Sequence, residues 1–144
     1  MIFRDEGYDR LYVLGDIGYE CIALLNPFHD RIVAVKGNCD GYEEEDFARF
    51  QLPIINYDYQ LGRLIVLTHG HFYNRYNVDV QYGIFLSGHT HMSTVFRNAD
   101  GSYVANPGSL GSPRDGYHSY LRIDETGMKV LDVSSGAIVH FQDF

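Results

Sequence analysis

The chain has only two cysteines, Cys21 and Cys39, among its 144 residues. That number leaves no disulfide framework and agrees with a reducing cytoplasm, the expected location. Long hydrophobic runs are also missing. The longest, residues 61–67 and 83–86, are strand-sized and far short of the roughly 20 apolar residues that a membrane span needs. The charged start Met1-Ile2-Phe3-Arg4-Asp5-Glu6 lacks the apolar stretch of a signal peptide. Positive charge is scarce as well, with 11 Lys and Arg against 19 Asp and Glu and a formal net charge of -8 when histidines are neutral. No basic stripe is available to displace counterions, which excludes non-specific binding to DNA, RNA or an anionic membrane. A small anionic substrate is still compatible, because bound divalent cations reverse the field locally. Internal repeats and low-complexity segments are absent too.

What remains is enough for one domain over residues 1–144, with a real core at 45% hydrophobic composition. Residues 8–14 form a strand that ends in Gly15-Asp16, and residues 18–25 (GYECIALL) form a short helix that Pro27 stops. Residues 31–36 (RIVAVK) are the next strand and end at Gly37. The acidic stretch 40–50 is a helix or a solvated loop, with Glu43, Glu44, Glu45 and Asp46 on a solvated face. Gln60-Leu61-Gly62-Arg63 turns into a strand at 64–68, residues 72–81 are loop, and 84–87 is another buried strand. From Ser93 the rhythm changes to strands at 94–97, 103–106, 119–123, 128–133 and 137–141. The turns at Asp100-Gly101, Thr126-Gly127 and Ser135-Gly136 mark hairpins. A mixed sandwich with its chemistry beyond the carboxyl ends of strands fits this order.

Five segments place metal-type side chains beside a glycine or at a strand end. They are Leu14-Gly15-Asp16, Gly37-Asn38-Cys39-Asp40, Thr68-His69-Gly70-His71, Gly88-His89-Thr90-His91 and Asn106-Pro107-Gly108-Ser109. Two imidazoles two apart on an extended loop point in similar directions, which suits one histidine to each of two cations. Four histidines in two glycine-marked loops are hard to explain as core packing. Asp16 offers an anionic oxygen able to bridge, and Asn38 a neutral one. Both suit the harder cations that imidazole also tolerates, such as Mn, Fe or Zn. His29, His118 and His140 lie outside these motifs and read as ordinary surface or packed histidines. The many tyrosines read as wall and core.

Taken in order, the five segments resemble the calcineurin-like metallophosphoesterases, and more narrowly their small prokaryotic phosphodiesterase branch of the YfcE type. Pro113-Arg114, after the NPGS segment, agrees. The resemblance implies a four-layer αββα sandwich of the α/β (α+β) class, and a metal-dependent phosphodiesterase that hydrolyses a small phosphodiester by a metal-bound hydroxide at a dinuclear site. It makes Asp16 the bridging ligand, with Asn38, His69 and His89 on the second metal and His91 on the first. Two divalent cations are implied, manganese before iron, zinc or nickel. His71, the candidate catalytic residue, touches substrate or supports the ligands from behind, and a purely structural role is equally open. Asp40 orients its loop or a histidine rather than donating a proton. Cys39 stands where many phosphatases of the superfamily carry a substrate-contacting histidine, which favours the phosphodiesterase branch. The NPGS segment reads as structural: a Pro107-Gly108 turn, with Asn106 holding the neighbouring loop by hydrogen bonds.

The chain departs from the family in one place. The family pattern opens with a strand ending in Asp-x-His, and residues 1–9 look instead like the tail of the following helix, so the expected sandwich is N-terminally truncated. The first metal then keeps only Asp16 and His91, where three or more protein ligands are usual. Three explanations stand: Met1 is internal to a longer gene product, the preferred one; the chain is genuinely short with one weak site; or a partner or second copy fills the gap. An open sheet edge would also invite a homo-oligomer. Two function classes follow, a phosphodiesterase and, as the alternative, a non-catalytic protein-interaction module on the same fold. A simple metal-storage protein explains the histidines but not the NPGS segment or the strand order.

Overall fold

The computed structural model describes residues 7–16, 25–37, 53–71 and 83–144. Strands β1 (Leu11–Val13), β2 (Ile32–Ala34), β3 (Ile55–Gln60), β4 (Arg63–Thr68) and β5 (Ile84–Ser87) come first. They are followed by β6 (Thr94–Arg97), β7 (Tyr103–Asn106), β8 (Ser119–Asp124), β9 (Gly127–Asp132) and β10 (Ile138–Asp143). The central sheet has the order β3-β4-β5-β7-β6. Its inner strands β4, β5 and β7 run parallel, and β3 and β6 are antiparallel flanks. The inner strands read as unbroken apolar runs because both of their faces are covered. Ile65, Leu67, Ile84, Leu86, Tyr103 and Ala105 are buried on one face, and Val66, Phe85 and Val104 on the other.

The first of these faces carries a second β layer made of two separate sheets. The parallel pair β1–β2 contributes Tyr12, Leu14, Val33 and the adjoining Val35. The antiparallel sheet β8–β9–β10 contributes Leu121, Ile123 and Met128. Among the described residues no ladder joins β1 to β8. The Tyr12 hydroxyl donates to Asp58 Oδ2 at 2.7 Å and ties β1 to the flank of the central sheet. Burial first, then this carboxylate, pushes the Tyr12 phenol well above its ordinary range.

The mixed α/β class agrees with the sequence, and the strands expected at 84–87, 94–97 and 103–106 are present with those bounds. The first two strands are shorter than 8–14 and 31–36 suggested. Leu25, the last residue of the expected helix, is helical, and Pro27 follows it. Pro27 sits in the first turn of a 3-10 helix, Asn26–Arg31, where a residue without an N–H loses no intrahelical bond. The helix expected at 18–25 (apart from Leu25), the acidic segment 40–50 and the loop 72–81 lie outside the described residues, which supply the two β layers of the expected sandwich.

Because β4, β5 and β7 are parallel, their carboxyl ends reach one rim, where β1 and β2 also end. That rim depends on the central strands holding position. Leu67 is fully buried at their heart. Leu67→Ala is expected to lower the unfolding free energy by about 3 kcal/mol, read as a shifted midpoint in urea denaturation.

Candidate metal centre

Each strand end at this rim delivers a motif from the sequence. β4 passes through buried Thr68 to His69, which is 2% exposed. β5 continues into Gly88 and His89, and the Gly88 N–H donates to the His69 carbonyl at 3.0 Å. β7 ends in Asn106, which is buried and spans both neighbours. Its Nδ2 donates to the Gly88 carbonyl and to Thr90 Oγ1, each at 3.0 Å, and its Oδ1 accepts the Gly108 N–H at 2.9 Å. The NPGS segment therefore braces the histidine loop, as its composition indicated.

Three side chains converge. His69 Nε2 lies 3.0 Å from His89 Nδ1 and 3.3 Å from Asp16 Oδ2. One ligand atom each from Asp16, His69 and His89 lies within 4.8 Å of the others. His69 Nδ1 lies 2.7 Å from the Leu14 carbonyl. A carbonyl can only accept, so the Nδ1 proton is committed there, and the neutral tautomer that this contact selects carries its lone pair on Nε2, facing the cluster. That lone pair and the Asp16 carboxylate are both electron-pair donors. Their facing each other at 3.3 Å fits a divalent cation, as does the mixture of imidazole and carboxylate.

The backbone is bent to make this possible. Among the described residues, four non-glycine positions have positive φ, and three of them are Asp16 (53°), His89 (68°) and His91 (59°). Asp and His tolerate this left-handed region better than most residues, yet such positions still cost on the order of 1–3 kcal/mol each and persist only where the surroundings impose them. The ends of β1 and β2 also cross at contact distance. A Cβ on Gly15 would lie 2.6 Å from the Gly37 nitrogen and 2.7 Å from His69 Nδ1, and one on Gly37 would run into the backbone and carboxylate of Asp16.

His91 stands apart from the trio. Its Nδ1 lies 2.7 Å from the Ser112 carbonyl, leaving Nε2 as the remaining ring nitrogen, and its own carbonyl accepts the Arg114 N–H at 2.9 Å. Asp115 holds this loop in place, its Oδ2 accepting from Ser93 N at 2.8 Å and Ser93 Oγ at 2.5 Å. His71 packs beside the trio, its ring centroid 5.2 Å from that of His69 and 6.2 Å from that of His89. Burial, followed by the two neighbouring imidazoles, holds His71 below the usual histidine range despite the opposing pull of Asp16. Asn38 and Asp40 lie outside the described residues. Reading the sequence missed the Leu14 and Ser112 carbonyls, which are visible only as backbone, and Asp115, which carries no motif.

The profile of the calcineurin-like phosphoesterase superfamily domain matches residues 2–128. The chain belongs to that superfamily. Its enzyme class is accordingly that of a phosphoesterase, a hydrolase. This phosphoesterase is 26% identical to the phosphodiesterase YfcE of Escherichia coli K12 over 156 residues, covering 96% of this chain and 84% of that protein. The structure of Yfce, a phosphoesterase from E. coli, matches with a TM-score of 0.85 at 25% identity over 99% of this chain and 87% of the other. Vps29 from Entamoeba histolytica complexed with zinc matches with a TM-score of 0.65 at 21% identity over 99% and 88% of the two chains, a likeness of fold.

The Asp115 clamp makes this phosphoesterase sensitive to acid. Hydrogen bonds from Ser93 hold the Asp115 carboxyl below its ordinary 3.8. A depressed carboxylate stabilises the fold above its unfolded pKa and loses that contribution as pH falls through the lower folded value. Asp115→Asn is expected to lower Tm near neutral pH and to converge with the parent protein as pH falls through that lowered value. Thermal unfolding with chelator present throughout measures both.

Proposed function

We propose that this chain hydrolyses a small phosphodiester with two divalent cations as cofactors, manganese first and iron, zinc or nickel as compatible substitutes. The observation that carries the proposal is the convergence of Asp16, His69 and His89, with the Nδ1 proton of His69 already committed to the Leu14 carbonyl. In this reading Asp16 is shared between the cations, His69, His89 and Asn38 complete one set of ligands, and His91 serves the other. When bound, the cations activate water and offset the charge that develops on the phosphoryl oxygens.

The chain's own part is to hold donors and exclude alternatives. Leu14 and Ser112 each fix a histidine tautomer through a carbonyl acceptor, so that no ring must reorient when a ligand arrives. His71, kept toward its neutral form by burial and its neighbours, borders the trio where a substrate oxygen would approach. Asp40 is assigned the support of its loop. Local cation charge explains how a chain with net charge -8 takes an anionic substrate. We assign the whole chain to one domain. Among the described residues no helix is long and apolar enough to cross a membrane, and with only two cysteines we place the enzyme in the cytoplasm.

Hydrolysis of bis-p-nitrophenyl phosphate is expected to require added manganese and to fall by about 100-fold in His89→Ala. Turnover that needs no metal, or that survives the substitution, rejects the proposal. Manganese binding without any turnover transfers the assignment to a non-catalytic interaction module on the same fold.

A further inference from the structure

At the opposite end of the central sheet, two arginines face a cavity without a carboxylate partner among the described residues. β4 begins at Arg63 and delivers His69 at its far end, so the two regions stand roughly 20 Å apart along the strand. The antiparallel register of β6 and β7 places Arg97 directly opposite Tyr103. The Arg63 guanidinium lies 4.3 Å from the Phe144 ring centroid and 5.2 Å from that of Tyr103, and the Arg97 guanidinium lies 5.9 Å from that of Tyr103. Both cations are thus parked against Tyr103, and Arg63 against Phe144 as well. These residues, with Ala99, Asp100 and Gly101, line a cavity of about 660 Å³.

Three features of this cavity call for a ligand. Neither guanidinium makes an ion pair among the described residues, although acidic side chains outnumber basic ones in the chain. The one carboxylate side chain in the wall, Asp100, is committed to Ser102, accepting from its N–H at 2.9 Å and its Oγ at 2.6 Å. Tyr103 is 3% exposed and its hydroxyl makes no hydrogen bond among the described residues. Stacking on a ring occupies the face of a guanidinium and leaves its N–H edge for a planar or tetrahedral oxyanion.

We propose that Arg63, Arg97 and Tyr103 form a binding site for the phosphoryl group of a small organic phosphate, separate from the metal centre. Two guanidiniums match a dianionic phosphoryl group better than a monoanionic carboxylate, since each supplies one charge-assisted donor set. A volume of about 660 Å³ accommodates a small organic phosphate and not merely the bare ion. The inference does not depend on the catalytic reading, because no residue of the metal centre takes part.

Isothermal titration calorimetry with inorganic phosphate, in the absence of added metal, tests it on the full chain. Phosphate binding is expected in the parent protein and in His89→Ala, with a loss of about tenfold in affinity in Arg97→Gln and in Arg63→Gln. Arg97 is exposed, so Arg97→Gln is the variant that keeps its fold and decides the matter, with Tm as the check. Acetate is expected to bind at least about tenfold more weakly than phosphate. Binding that disappears in His89→Ala but persists in Arg97→Gln places the phosphate at the metal centre and overturns the proposal. Absence of binding in the parent protein, or equal binding of acetate, overturns it as well.

Discussion

The hydrogen bond from His69 Nδ1 to the Leu14 carbonyl, 2.7 Å long, is the contact on which the site depends. It joins the end of β1 in one layer to the end of β4 in the other, and so reports the spacing of the two sheets. It also sets the tautomer of a buried imidazole, directing the lone pair of Nε2 at His89 and Asp16. A change in how the layers stack would therefore alter both the position and the tautomer of His69. The contact exists only because β1 and β2 approach each other without side chains at Gly15 and Gly37.

The rest of the rim supports that contact. Parallel β4, β5 and β7 bring three loops to one edge, and the Asn106 amide bridges the last of them to the His89 loop. Positive φ at Asp16, His89 and His91 turns their side chains out of the path a regular strand would give them. Such conformations persist when neighbouring hydrogen bonds over-determine them. The Gly88–His69 backbone bond, the Asn106 bridge and the Asp115–Ser93 clamp supply those restraints. The chemistry is thus held by backbone geometry as much as by the ligands themselves.

Charge is arranged to match. Asp16, His69 and His89 gather at the carboxyl rim, while Arg63 and Arg97, which make no ion pair among the described residues, stand at the opposite edge of the sheet against Tyr103. The sheet separates the two groups by the length of β4. This polarity follows from strand direction: Arg63 and His69 belong to one strand and its immediate continuation.

Much of this was legible in the residues. Continuous apolar runs at Ile84–Ser87 and Tyr103–Asn106 marked strands buried on both faces, and His69 and His89 stood out because each follows such a run. Family membership was legible for the same reason, since the motifs are local and ordered. Other features were not. The 3-10 helix that holds Pro27 in its first turn, Asn26–Arg31, has no apolar periodicity of its own. The short reach of β1 and β2 depends on pairing partners far away in the chain. The sequence by itself determined the donor types, their order and the strands that carry them, because these rest on side-chain chemistry and two-residue periodicity. Only the tertiary structure decided that Asp16, His69 and His89 meet while His91 stands aside, because that depends on backbone carbonyls and on φ values imposed by packing between distant segments.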